Sequence, residues 1–305
     1  MLLTSDLCAA SRDIDATIHK MHRQACRRIN QSFLNQQIAI KQIVTEIFRR
    51  PGSFMIEKHI EHTLLKPEAT TADIIKLCME ARNHNFLGVC VNPCFVPLAK
   101  HLLAGTEVKV VTVVGFPLGC DEPEVKAAAA QRAVQNGADE VDMVINIGAL
   151  KGRDNAFAVE DIRQVVEAAG SAPVKVIIET CLLNEEEKIR ACGMIAQGGA
   201  AFVKTSTGFN KAGATVEDVA LLSAEAQKLG LRVKAAGGIR DYATARAMLE
   251  AGAERLGCSA GVKLAEEERL ECGANAINDN GMPAQRDDAS VTQDGGAAAA
   301  DEAQA

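Results

Sequence analysis

Residues 175–205 read KVIIETCLLNEEEKIRACGMIAQGGAAFVKT, and this stretch decides the fold. Lys175–Glu179 and Ala201–Thr205 are short apolar runs rich in β-branched residues, the pattern of buried strands. Between them, Asn184-Glu-Glu-Glu187 places three acidic side chains where a first helical turn favours negative charge. A strand, a helix and a second strand of this spacing form the unit from which parallel sheets are built, because parallel neighbours need a crossover connection.

The same rhythm extends from Met55 to about Arg269 and predicts eight strands: Ile60–Leu64, Gly88–Val91, Lys109–Val114, Glu140–Ile145, Lys175–Glu179, Ala201–Thr205, Arg232–Ala236 and Arg255–Cys258. Thr215-Val-Glu-Asp218 is a capping-box variant that opens a helix running to Lys228, with Gly230 placed for a left-handed C-terminal cap. Asn136-Gly137 and Gly252 mark two further helix exits. Eight β/α units in about 210 residues match the size of an α/β fold of the (β/α)8 TIM-barrel class, whose chemistry sits at the C-terminal ends of the strands. An open doubly wound sheet is the alternative, because periodicity does not reveal closure.

Residues 1–54 stand apart as an N-terminal, partly helical extension, with Ile14, Ile18, Met21, Ile29 and Phe33 at loosely helical spacing before Arg49-Arg50-Pro51-Gly52-Ser53 breaks the pattern. Three readings stay open for it: an upstream extension with Met55 as the true start, an organellar transit segment, and a docking helix. Residues 55–269 are the expected barrel, and residues 270–305 read as a disordered acidic tail, periodicity being lost from Gly273 onward.

The formal net charge is −7, with 8 basic and 4 acidic residues in Met1–Ser53 and 2 basic and 10 acidic in Ala265–Ala305. There is no dense Lys/Arg patch, only one Tyr and no Trp, so no nucleic-acid partner is expected. Apolar runs are too short for a membrane span. Ten cysteines without a CxxC pair suit a reducing cytoplasm.

The barrel reading places charged residues on strands where burial demands a partner. Asp142 lies inside Glu140-Val-Asp-Met-Val-Ile145, Lys204 ends strand 6, and Lys234 precedes Ala-Ala-Gly-Gly238. Two buried lysines that face one another disfavour each other's charge, so one amine is expected to be neutral near pH 7 and able to attack a carbonyl. Lys204 is the nucleophile of choice because it ends its strand, with Lys234 lowering its pKa and relaying protons with Asp142. Lys175, at the start of strand 5, is assigned to the opposite face of the barrel and to structure. A phosphate seat is expected where Gly208, Gly237-Gly238 and the segment Gly257-Cys-Ser259-Ala-Gly261 follow strands 6, 7 and 8. The six histidines lack metal-ligand spacing, and the Gly-rich dinucleotide and P-loop patterns are absent, so neither a metal nor a cofactor is expected. His62 reads as a packing residue, and Cys90 as an inert thiol.

Seven motifs in order, Ile60-Glu-His-Thr-Leu-Leu-Lys-Pro67, Gly88-Val-Cys-Val-Asn-Pro93, Val113-Val-Gly-Phe-Pro-Leu-Gly119, Glu140-Val-Asp-Met-Val-Ile-Asn146, Lys175-Val-Ile-Ile-Glu-Thr180, Phe202-Val-Lys-Thr-Ser-Thr-Gly-Phe209 and Lys234-Ala-Ala-Gly-Gly-Ile-Arg240, resemble the 2-deoxyribose-5-phosphate aldolase family in its shorter bacterial branch. The resemblance spans about Met55 to Leu264. It implies a class I, metal-independent aldolase that reversibly cleaves 2-deoxy-D-ribose 5-phosphate to D-glyceraldehyde 3-phosphate and acetaldehyde. By motif, Lys204 is the Schiff-base lysine, Asp142 the proton donor and acceptor, and Lys234 the lysine that perturbs it. Thr63, Thr207, Gly208, Gly237, Gly238 and Ser259 match positions lining the substrate and phosphate site, and Cys90 a pocket-side cysteine. A cytoplasmic homodimer in deoxynucleoside catabolism is implied by the resemblance alone. Glu61 stands where the family has Asp, Cys258 where it has Thr or Ala, and the sole tyrosine, Tyr242, leaves no tail-borne tyrosine. Another class I lyase, distinguished by its donor, and a catalytically silent sugar-phosphate sensor are the competing readings.

Overall fold

The computed structural model describes residues 55–274. The proposed extension, residues 1–54, and the tail beyond Ala274 lie outside the described residues. Eight strands form a closed parallel barrel in sequence order: β1 (Ile60–Leu64), β2 (Gly88–Val91), β3 (Lys109–Val114), β4 (Glu140–Val144), β5 (Val174–Ile177), β6 (Phe202–Lys204), β7 (Arg232–Ala236) and β8 (Arg255–Cys258). Closure comes from β8 pairing in parallel with β1, through Glu61 with Gly257 and His62 with Cys258. This removes the open-sheet alternative.

The helices are α1 (Thr71–His84), α2 (Val96–Leu102), α3 (Pro123–Gln135), α4 (Ile147–Lys151), α5 (Asn155–Ala169), α6 (Glu185–Gln197), α7 (Val216–Leu229), α8 (Tyr242–Glu250) and α9 (Gly261–Ala274). Their starts follow from the sequence. Asn184 and Glu187 form a reciprocal capping box on α6, satisfying two backbone donors that a helix start leaves unpaired. The Thr215 hydroxyl accepts from the amide of Asp218 at the start of α7, and Gly230 ends that helix at φ 69°. The last helix runs to Ala274, past the boundary drawn at Arg269.

Alternation along each strand sends one set of side chains toward the helices and the other into the barrel. The outward set is buried and mostly apolar, as with Val89, Val141, Met143, Val176, Val203 and Leu256. His62 belongs to it: its Nε2 lies 2.9 Å from Glu80 of α1 and its ring meets Phe86 edge-on, the packing role expected of it. The inward set is heavily charged. Glu61, Glu140, Asp142, Lys175, Lys204, Lys234 and Arg255 are all buried there.

Candidate active site

Lys204 is the last residue of β6 and is paired in register with Lys234 of β7. Across the barrel, Asp142 of β4 is in register with Lys175 of β5. The carboxylate is divided between three ammonium groups. Its Oδ2 accepts from Lys204 Nζ at 2.7 Å and from Lys234 Nζ at 2.7 Å, whereas Oδ1 accepts from Lys175 Nζ at 2.9 Å. Glu61 accepts from Lys234, lies 3.4 Å from Lys175 Nζ, and is 3.4 Å from Arg255. The extra methylene that distinguishes Glu61 from aspartate is therefore accommodated by spanning three cations. Gly257 makes room for this arrangement: a Cβ there would stand 3.1 Å from Lys234 Cε.

Lys175 does not lie on the far face of the barrel, as its place at the start of the predicted strand implies: β5 starts one residue earlier, and the Lys175 side chain runs up the interior to Asp142. It is fully buried and pairs also with Glu140 at 2.6 Å. Glu140 and Arg255 continue the network downward, 3.3 Å apart, and Lys109 closes it at the half-exposed lower rim. These groups were missed as site residues, although Glu140 stands two positions from Asp142 and so shares its face of the strand.

Each proton is held or released by a definable balance. Burial pushes the Lys204 amine below the usual lysine range, and Lys234 adds to this against the pull of Asp142. Burial acts on Lys234 in the same sense, but Asp142 and Glu61 outweigh it and its proton is held more tightly than usual. Lys175 is likewise raised against burial by Asp142 and Glu61. For Asp142, burial opposes ionisation, yet Lys175, Lys204 and Lys234 hold it well below the usual carboxylate range. The arrangement thus presents one amine prone to be neutral, a neighbour that holds its proton tightly and a carboxylate oxygen bridging the two.

The predicted lining residues lie near or just past the C-terminal ends of β1, β2, β6, β7 and β8. Cys90 of β2 is buried in the interior beside Leu65, Val111 and Val113, and burial pushes its thiol up to about 11, which leaves it un-ionised at neutral pH. Thr63 of β1 is partly buried and donates to the backbone carbonyl of Glu61 at 2.8 Å. Beyond β6, the Thr207 hydroxyl donates to Glu179, whose other oxygen accepts from the Thr207 amide at 3.3 Å. Glu179 is buried and holds the left-handed φ of 54°, rare for a residue with a side chain. The sequence places Glu179 at the end of predicted strand 5, and the structure adds its partner, Thr207.

Gly208, Gly237 and Gly238 have φ of 83°, 87° and 81°, so successive amides after β6 and β7 can turn toward one concavity. The two loops are locked together: the Ala214 amide donates to the Gly237 carbonyl at 3.0 Å, and a Cβ on Gly213 would stand 2.2 Å from that oxygen. Ser259 is exposed just before α9, where helix-terminal amides add to the same electrostatic character. Tyr242, by contrast, is buried with its hydroxyl 3.4 Å from Glu268 of α9, a helix-packing role.

The model of the DeoC/LacD family aldolases matches residues 54–277. The chain belongs to that family. Among its relatives, the deoxyribose-phosphate aldolase of Geobacillus sp. is 56% identical over 212 residues, covering 69% of this chain and 95% of the relative. That of Carboxydothermus hydrogenoformans is 57% identical over 217 residues, 70% and 95% of the two chains. Among solved structures, the tetrameric deoxyribose phosphate aldolase from Aeropyrum pernix superposes with a TM-score of 0.68 at 34% identity, covering 72% of this chain and 94% of that one. This DeoC/LacD member therefore carries the expected barrel and an aldolase identity.

Proposed function

We propose that this aldolase acts on 2-deoxy-D-ribose 5-phosphate, releasing D-glyceraldehyde 3-phosphate and acetaldehyde through a Schiff base on Lys204. The observation that carries the reading is the position of the Lys204 amine, buried at the end of β6, bridged through one oxygen of Asp142 to the charged Lys234. A neutral amine attacks the C1 aldehyde, and loss of water leaves a protonated imine. That cation is the electron sink. The C3 hydroxyl gives up its proton, the C2–C3 bonding pair moves toward the iminium nitrogen, and glyceraldehyde 3-phosphate departs. Protonation of the remaining enamine at C2 and hydrolysis release acetaldehyde and restore Lys204.

Asp142 Oδ2 is the group suited to exchanging these protons, since it touches both ammonium groups, and Lys234 keeps Lys204 poised by its fixed charge. The phosphate is assigned to the amides about Gly208, Gly237, Gly238 and Ser259, the loops after strands 7 and 8 being the usual phosphate site of this fold. Thr63, Thr207 and Cys90 are assigned to the walls of the pocket. We further propose a homodimer in the cytoplasm; the relatives at more than half identity carry the deoxyribose-phosphate aldolase name, and the eight cysteines among the described residues are free thiols. Sedimentation at micromolar concentration tests the dimer.

The deciding experiment is borohydride reduction in the presence of acetaldehyde, followed by peptide mapping. Label on Lys204, lost in Lys204→Leu along with turnover, is the expected result. Label on another lysine, or full turnover without label, would overturn the assignment.

A further inference from the structure

The interior ion pairs among the described residues join four cations, Lys175, Lys204, Lys234 and Arg255, to three carboxylates, Glu61, Glu140 and Asp142. All seven side chains are at least nine-tenths buried. We propose that this column works by charge parity: one buried cation is left without a compensating carboxylate, and Lys175 and Glu140, neither of which pairs with Lys204, act as positioning residues that make Lys204 the one to give up its proton. The inference rests on Lys204 being the imine-forming amine.

Geometry selects Lys204. It meets one carboxylate, Asp142, and that oxygen is shared with Lys234. Lys234 meets two carboxylates, Asp142 and Glu61. Lys175 meets Glu61, Glu140 and Asp142. Arg255 meets Glu61 and Glu140, with Glu254 against its Nε at 3.6 Å, and a guanidinium does not deprotonate in a protein. Neutralising Lys204 therefore forfeits the fewest charge contacts.

The elements around Lys204 supply little else to alter this count. Cys90 of β2 faces it as an uncharged thiol. Lys109 of β3 reaches Glu140 at 2.6 Å, but its side chain is 40% exposed and water compensates its charge. Glu179, after β5, is occupied by the hydroxyl and amide of Thr207. Arg232 of β7 pairs with Glu254 on the exposed rim.

Lys175 also divides the labour of Asp142. By holding Oδ1 it leaves Oδ2 alone to face Lys204 and Lys234, so a single oxygen serves both. Parity then makes opposite demands on two neighbours in one column. Removing the Lys175 charge leaves three cations for three carboxylates, and Lys204 keeps its proton. Removing the Glu140 charge leaves two carboxylates, and Lys204 releases its proton more readily. A residue that only supports the fold would lower activity at every pH in both cases.

The test is the pH dependence of cyanoborohydride trapping of acetaldehyde on the full chain, with label quantified at Lys204, for the wild type, Lys175→Met, Glu140→Gln and Lys109→Met. Lys175→Met is expected to move the midpoint up by at least about one pH unit, so that trapping near neutral pH falls about tenfold and recovers in base. Glu140→Gln is expected to move it down, and Lys109→Met to leave it in place. Lys175→Gln and Glu140→Met serve as second variants where a first does not fold. Midpoints that move in the same direction, or do not move, overturn the parity proposal while label on wild-type Lys204 upholds the imine. Absence of that label in the wild type instead defeats the functional reading beneath it.

Discussion

Lys204 and Lys234 donate to the same oxygen, Oδ2 of Asp142, each at 2.7 Å. Two ammonium groups on one oxygen repel, so the pair is stable when one amine is neutral, and the extra contact of Lys234 with Glu61 determines which remains charged. Replacing Lys234 with Met removes the repelling charge. The pH at which Lys204 becomes nucleophilic should then rise by about one unit or more, lowering imine formation near pH 7 at least about tenfold. Stopped-flow trapping of the imine across pH 6 to 10 checks this, and an unchanged profile counts against Lys234 as the perturbing charge.

Glu179 and Thr207 make a second pairing with a consequence for binding. A buried carboxylate in a left-handed backbone conformation fixes both the amide and the hydroxyl of Thr207 and so the entry into the Gly208 turn. Glu179→Gln keeps the shape but weakens charge-assisted bonds of about 1.5–3 kcal/mol each. Because those bonds organise the ground-state site, KM for the sugar phosphate should rise about tenfold with kcat changed less than about threefold. Steady-state kinetics separates this from a catalytic role, in which kcat would carry the loss.

The fold was legible because its determinants are local. β-branched runs at the spacing of a crossover, the Asn184 and Thr215 caps and the Gly230 exit each specify a strand, a helix start or a helix stop from a few neighbouring residues. Closure was not legible, since it depends on β8 meeting β1. The centre of the site was readable for the same reason that it is costly: Asp142, Lys204 and Lys234 are charges inside apolar strands, and each demands the others. Lys175, Glu140 and Arg255 escaped because a charged residue near a strand start reads as lying on the lower rim, whereas a long stem carries its head group far up a barrel interior. The pairing of Glu179 with Thr207 escaped because the two lie 28 residues apart in the chain.

The charged interior should set the acid limit of the protein. Burial opposes ionisation of Glu140, but Lys175 and Lys109 bring its carboxyl down to about 2. Its folded value lies below the unfolded value of about 4.3, so its contribution is complete above that value and is lost as pH falls from there through about 2. Asp142, also depressed, acts in the same sense. Urea midpoints should therefore hold between about pH 7 and 5 with respect to these groups and fall below about pH 4. In Glu140→Gln the midpoint should start lower at pH 7 and lose less on acidification; an identical acid decline would show that Glu140 does not contribute to it.

A separate ion pair lies outside the barrel. Lys126 of α3 donates to Asp161 of α5 at 2.6 Å and to the backbone carbonyl of Val144 at 3.1 Å, with both side chains fully buried. The Lys126 stem also packs under Gly115, where a Cβ would stand 2.9 Å from its Cε, so the pair ties the loop after β3 to the end of β4. Burial pushes the Asp161 carboxyl up, with Lys126 opposing it. Lys126→Met strands a buried carboxylate and should cost about 3–5 kcal/mol of stability. Converting both partners, Lys126→Met with Asp161→Leu, removes the unpaired charge and should recover most of that loss, because apolar replacement of a buried pair is often neutral. Urea titrations of the two single variants and the double variant measure the coupling directly. If the double variant is no more stable than Lys126→Met, the cost lies in lost packing beneath Gly115 and Val144, not in the stranded charge of Asp161.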